Sequence, residues 1–149
     1  MRISFDIDDT IIFYDKSLNG KDRLLNGEFL REGTLSLFKE LQKEHELFLY
    51  TASLRTPWLL KLSFWLKGIK LGGVINQDVH ESLRKELNLN DFPTKYPSRF
   101  GIDLHVDNSK GVLLEGRKFG FRVLLVDEED KDWTLSVKEG IDSIRKEGQ

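Results

Sequence analysis

Short continuous apolar runs alternate along this chain with segments whose apolar residues recur at helical spacing. Arg2 to Ile7 is apolar and rich in β-formers, then breaks at a cluster of acids. Glu32 to Glu44 carries Leu35, Leu37, Phe38 and Leu41, which predicts a helix. Leu47 to Tyr50 reads as a strand buried on both faces. Thr56-Pro57 is a helix start, a hydroxyl cap followed by proline in the first turn, and this helix should run to about Lys67 and stop at Gly68. Gly73 to Asn76 predicts a short strand and His80 to Leu89 a helix. Two prolines and a glycine make Asp91 to Ile102 a loop. Then follow a strand at Asp103 to Val106, a helix from Ser109 to Phe119 closed by Gly120, a strand at Phe121 to Val126 and a last helix from Trp133 to Lys146.

Strands and helices in alternation predict the α/β class: a Rossmann-like, three-layer α/β/α domain with a mostly parallel central sheet. The 149 residues suit one such domain, spanning 1–149. In these sheets ligands bind beyond the carboxyl ends of the strands, where the strand order switches. Chemistry is therefore expected just after the apolar runs.

Composition narrows the function classes. Twenty-three Lys and Arg against 25 Asp and Glu give a net charge of -2, so no overall basic field argues for nucleic acid or anionic lipid. Cysteine is absent, which removes disulfides, thiolate nucleophiles and Cys-ligated zinc, and fits a cytoplasmic protein. His45, His80 and His105 are scattered without metal-ligand spacing. No targeting segment and no membrane span is expected, since Asp6, Asp8 and Asp9 interrupt the first apolar run.

Three predicted strands end in polar clusters: Asp6-Ile7-Asp8-Asp9-Thr10, Tyr50-Thr51-Ala52-Ser53 and His105-Val106-Asp107-Asn108-Ser109. Acids crowded at a strand end repel unless a cation or proton lies between them. Asp6, Asp8 and Asp107 would suit a hard cation such as Mg2+, which takes oxygen ligands. Taken singly, the acids could be a solvated turn and Thr51 a strand-end hydroxyl. His105 reads as a satisfied core histidine, Asp9 as a local backbone cap and Asp103 as a strand-start residue. Asn76 and Gln77 read as a turn. Arg55 is balanced between a ligand for a substrate anion and a plain surface arginine.

Together these clusters resemble the haloacid dehalogenase-like (HAD) superfamily. Asp6-Ile7-Asp8-Asp9-Thr10 is similar to its first motif, D-x-D-x-T, Thr51 to its second, and Asp107-Asn108 to its fourth, which is usually an acidic pair. The resemblance spans Arg2 to about Val126. The stretch from Lys95-Tyr96-Pro97-Ser98 to Asp107-Asn108-Ser109 further resembles a group of small bacterial HAD-like proteins.

The resemblance implies a Mg2+-dependent phosphatase working through an aspartyl-phosphate. Asp6 would be the nucleophile and Asp8 the general acid, then the base. Mg2+ would lie on Asp6, the Asp8 carbonyl and Asp107, with Thr51 and Ala52 holding the phosphoryl group. A lysine would neutralise the phosphate: Lys95 is favoured because it lies in the loop before the Asp103 strand, with Lys85 and Lys110 as rivals. Asn108 replaces an acid, which subtracts charge from the metal site. Two other classes stay open: a non-catalytic phosphate-binding module for regulation or assembly, and a receiver-like phosphoacceptor.

Thr10 and Thr51 are 41 positions apart, and a helix fills part of that span. What remains, about 11–31, makes a short flap rather than a large cap domain. Open sites in the superfamily suit large phosphorylated substrates or are closed by a second subunit. The flap's Tyr14, Lys16, Lys21, Arg23 and Phe29 could touch an anionic partner. The Trp58 to Leu66 stretch is apolar nearly all round; core packing is the default reading, and because one packed face needs less than this, a homo-oligomer through that helix is the alternative expectation.

Overall fold

The computed structural model describes residues 1–148. Five strands form one sheet in the order β3-β2-β1-β4-β5. They are β1 (Arg2–Phe5), β2 (Glu46–Tyr50), β3 (Leu71–Ile75), β4 (Leu104–Asp107) and β5 (Val123–Leu125), and every pairing is parallel. The helices are α1 (Thr34–Leu41), α2 (Pro57–Leu66), α3 (Gln77–Leu87), α4 (Lys110–Phe119) and α5 (Trp133–Glu147). The chain steps outward from β1 to β3, then returns to the other side of β1 with β4. The switch in strand order thus lies between β1 and β4, the strands that lead into Asp6 and Asp107.

The period-2 alternation of the strands sorts side chains onto two unlike faces. Ile3, Phe5, Leu47, Leu49, Leu104 and Val106 face one way and pack with Leu37 and Phe38 of α1, Leu60 and Phe64 of α2, and Val137 and Ile141 of α5. Phe5, Phe38 and Phe64 stack in series, with ring centroids 4.6 and 5.6 Å apart. The opposite face carries Ser4, Phe48, Tyr50, His105 and Asp107, and α3 and α4 cover it together with the 91–102 loop.

Most element boundaries shift by a few residues from those the sequence pattern predicts. α1 starts at Thr34 rather than Glu32, because Gly33 takes φ 91° and a side chain there would press on Thr134 at 2.8 Å. β3 begins earlier, at Leu71. Its Gly72 lets the strand lie against Phe48 and Glu46 of β2, where a Cβ would come within 2.8 Å of the Phe48 ring. α3 also begins earlier, since Asn76 is its N-cap, with Oδ1 accepting from the Val79 N–H at 3.1 Å. The 91–102 loop contains one 3-10 turn, Pro97–Phe100.

The 11–31 segment is a flap, with a 3-10 turn at Lys16–Leu18 and one antiparallel bridge between Arg23 and Phe29. Its root is fixed by Arg31. That side chain lies between the rings of Phe13 and Trp133, 4.7 and 4.6 Å from their centroids, and donates to the carbonyls of Thr10, Asp127, Glu128 and Asp130. Among the described residues there is no large cap domain, and no helix is long and apolar enough to cross a membrane. α2 buries Leu60 and Phe64 but leaves Trp58, Leu62, Trp65 and Leu66 exposed, so its apolar circumference does exceed the packed face.

Candidate active site

The site is built where β1 and β4 end side by side. Asp6 extends β1 by one residue, its N–H donating to the Val106 carbonyl at 2.9 Å. The chain then curls: the Ile7 carbonyl accepts from the N–H groups of Thr10, Ile11 and Ile12. Asp9 takes φ 61° at this curl and accepts from the Tyr14 N–H at 2.9 Å, a local backbone role. The curl carries Thr10 back toward Asp6, and its Oγ1 donates to Asp6 Oδ2 at 3.0 Å. Asp107, the last residue of β4, is nearly fully buried.

Lys95 joins the two acids. Its Nζ donates to Asp6 Oδ1 at 2.6 Å and to Asp107 Oδ2 at 2.8 Å, whereas Lys85 and Lys110 are exposed. Lys95 stands in irregular chain, so its position depends on its neighbours. The Thr94 N–H and hydroxyl both donate to the Glu115 carboxylate of α4, at 2.6 and 2.9 Å. The Tyr96 N–H donates to the buried Tyr50 hydroxyl at 2.9 Å, and that hydroxyl is hydrogen-bonded to His80 Nδ1 at 2.6 Å. Both flanks of Lys95 are thus tied to helices and strands of the sheet's second face.

Burial dominates the protonation of Asp6 and raises its carboxyl to about 6; Lys95 opposes the rise and the Asp107 charge adds to it. Burial works the same way on Asp107, but hydrogen bonds from His105 and Lys95 outweigh it and hold that carboxyl well below the usual carboxylate range. For Lys95, burial would pull the ammonium down, and the two carboxylates overcome it and keep it charged. His105 is completely buried, and burial lowers it to about 4 despite its contact with Asp107. A neutral ring here donates from Nε2 to Asp107 Oδ2 at 2.8 Å and accepts the Ser4 hydroxyl at Nδ1, 2.7 Å away. Ser4 and His105 thereby fix how the Asp107 carboxylate is turned.

The remaining candidates sit around this core. Thr51 directly follows β2, and its Oγ1 accepts the Ser53 N–H and is hydrogen-bonded to the Ser53 hydroxyl at 2.8 Å. Ala52 is exposed beside it. Asn108 Oδ1 accepts from Thr10 at 3.3 Å, and its amide donates to Glu128 at 2.8 Å. Asp8 does not share the Lys95 cluster. Both its oxygens accept from Arg55, at 2.8 and 3.1 Å, and Arg55 is anchored by two further bonds to Glu28 of the flap, at 2.7 and 2.8 Å. Arg55 is therefore neither a plain surface arginine nor a free anion ligand. Its hydrogen bonds hold the Glu28 carboxyl below the usual carboxylate range.

Asp6 and Asp107 offer oxygen donors only, as Mg2+ requires, and a cation would relieve the repulsion that helps to raise Asp6. Among the described residues no three His, Cys, Asp or Glu side chains converge as a metal cluster. With the Asp8 carboxylate turned to Arg55, only its backbone carbonyl would be left to serve a cation.

Ser4, Ser53, Glu28 and Tyr50 are further neighbours of the site with no role evident from the sequence, whereas Thr10 closes the expected D-x-D-x-T motif and His105 is the satisfied core histidine expected, bonded at both ring nitrogens. For Ser4, Tyr50 and His105 a signal existed: polar residues alternating with Ile3, Leu49 and Leu104 mark a second, polar face of the sheet. Glu28 had none, because its role exists only once the flap folds back onto Arg55.

A predicted HAD-like family hydrolase from Porphyromonas gingivalis has a similar structure, with a TM-score of 0.52 over 94% of this chain and 97% of that chain, at 12% sequence identity. The two chains share a fold. No family model and no curated protein matches the chain. In this frame the strand-order switch and the Asp6–Lys95–Asp107 cluster coincide.

Proposed function

We propose that this protein is a Mg2+-dependent phosphomonoester hydrolase that works through an aspartyl-phosphate on Asp6. One observation carries the reading: a buried carboxylate, Asp6, shares a lysine with a second buried carboxylate at the switch in strand order, and another acid follows two residues later. Asp6 attacks phosphorus, the P–O bond to the leaving group breaks, and Asp8 gives its proton to the departing oxygen. Water then attacks the same phosphorus, Asp8 takes the proton, and Asp6 leaves as a carboxylate. Lys95 offsets phosphate charge, with Thr51 and Ala52 at the entry. Mg2+ would be held by the carboxylates of Asp6 and Asp107 and the Asp8 carbonyl, and would screen the anionic nucleophile from the anionic substrate. Asn108, held by Thr10 and Glu128, would orient water there.

Purified protein should hydrolyse 4-nitrophenyl phosphate with Mg2+ and stop when the metal is chelated. A non-catalytic phosphate-binding module is the second reading, because Asp8 commits both oxygens to Arg55. Tight binding of inorganic phosphate with no turnover of any ester would select it. The exposed face of α2 is the surface on which a second copy would dock.

A further inference from the structure

Asp8 cannot face a leaving group while Arg55 holds both its oxygens, so something must draw Arg55 away. Arg55 also donates to the Ser53 hydroxyl at 3.0 Å, and its two carboxylate partners are unequal. Glu28 is 30% exposed at its side chain and Asp8 57%, while Arg55 itself is 17% exposed. Glu28 is the fixed support, and Asp8 is the partner that solvent or a ligand can replace. The Arg55 backbone is also fixed, its carbonyl accepting from the buried Asn76 amide at 3.2 Å, so the exchange is left to the side chain.

Beside this ion pair lies a cavity of about 820 Å³ under the flap, lined by Asp8, Phe13, Tyr14, Glu28, Phe29 and Arg55 among others. That volume falls in the range of small-molecule sites, which pair apolar walls with a few placed charges. Phe13, Tyr14 and Phe29 supply the walls and Arg55 the charge.

We propose that this cavity receives the leaving group of a small phosphomonoester that carries a second anionic group, and that Arg55 transfers from Asp8 to that anion. Recognition of the leaving group and release of the proton donor are then one event. The proposal rests on the phosphatase reading. A carboxylate or a second phosphate would satisfy the guanidinium fork equally.

Binding tests it independently of turnover. Titration calorimetry in Mg2+ buffer would compare benzylphosphonate with its ortho-, meta- and para-carboxy derivatives and with the matching benzene bis(methylphosphonates). At least one ligand with a second anionic group should bind about 10- to 100-fold more tightly than benzylphosphonate, as expected for a charge-assisted pair. The stronger class names the second anion. Arg55→Gln should bring the ratio to within about threefold, and Arg55→Lys, which keeps charge and loses the fork, should fall between. Equal affinity across the series in the wild-type protein, or a preference that survives Arg55→Gln, overturns the proposal. Selectivity that depends on Arg55, with no turnover of phenyl phosphate or 3-carboxyphenyl phosphate, would sustain the anion site and refute the phosphatase reading.

Discussion

The two faces of the sheet are built from the same five strands but do different things. On one, Ile3, Phe5, Leu47, Leu49, Leu104 and Val106 meet three helices in a core of apolar side chains. Its contribution is area removed from water, which has magnitude but no direction. On the other, hydrogen bonds join Ser4, His105 and Asp107 and run on to Lys95, while Tyr50 joins His80 to the Tyr96 backbone. All their buried side-chain polar atoms find partners. A satisfied polar network adds little net stability, yet it fixes where charges point. One face keeps the chain folded, and the other aims the carboxylates of Asp6 and Asp107.

Substitutions should separate the two roles. The largest effect is expected from Asp6→Asn, which should reduce turnover of an aryl phosphate at least about 1,000-fold while the protein stays folded by circular dichroism. Retention of wild-type rates would exclude Asp6 as the nucleophile. Phe38→Ala should do the reverse. It removes the ring between Phe5 and Phe64 and should cost about 3–5 kcal/mol of unfolding free energy in urea titration. At temperatures where the variant is folded, kcat should stay near wild type.

Tyr50→Phe bridges the two roles. The Tyr96 N–H and His80 lose their shared partner, at a cost of about 1–3 kcal/mol. Lys95, next to Tyr96, loses one of its two anchors, so activity should fall further than stability alone accounts for. An unchanged kcat/KM in fully folded Tyr50→Phe would show that the network does not position Lys95.

The polar face should also leave a mark on the pH dependence of stability in metal-free buffer. Asp6 is raised to about 6, so the folded state holds a proton that the unfolded state gives up near 4; stability from this source is present below about 4 and lost as pH rises to about 6. His105 is lowered to about 4, so its contribution is present above about 6.5 and lost as pH falls to about 4. The two trends oppose each other in the wild type. Asp6→Asn removes the first and leaves the second, so its stability should climb more steeply from pH 4 to 6.5. Parallel curves for the two proteins would contradict this assignment.

The smallest effect on stability belongs outside both faces. Trp58→Glu on the exposed side of α2 should change it by no more than about 0.5 kcal/mol. If a second copy covers that side, light scattering should show the wild type as an oligomer and this variant as a monomer. A wild-type monomer at about 100 µM would remove the dimer proposal.

The aliphatic face was legible in the sequence because area is additive: Arg2–Phe5, Leu47–Tyr50 and the 104–107 strand announce themselves as apolar runs. β3 was less so, since Gly72 and Gly73 carry no pattern and serve the close approach of Phe48. The acids of the candidate site were legible through their positions after strands. Their supports were not, because hydrogen bonds such as Tyr50 to Tyr96, or Arg55 to Glu28, join residues 46 and 27 positions apart and leave no periodic trace. Which lysine meets Asp6 depends on the path of an irregular loop: the sequence favours Lys95 only by its place before β4, and the anchoring of Thr94 and Tyr96 that holds it there leaves no sequence pattern.

In the proposed mechanism Asp6 carries the phosphoryl group. During turnover of 4-nitrophenyl phosphate with Mg2+, rapid acid quenching followed by borohydride reduction converts an aspartyl-phosphate to homoserine. Peptide mass mapping should find that conversion at Asp6 and at no other acid, and should lose it in Asp6→Asn. Steady turnover with Asp6 unreduced, or with the label on another carboxylate, would contradict the account.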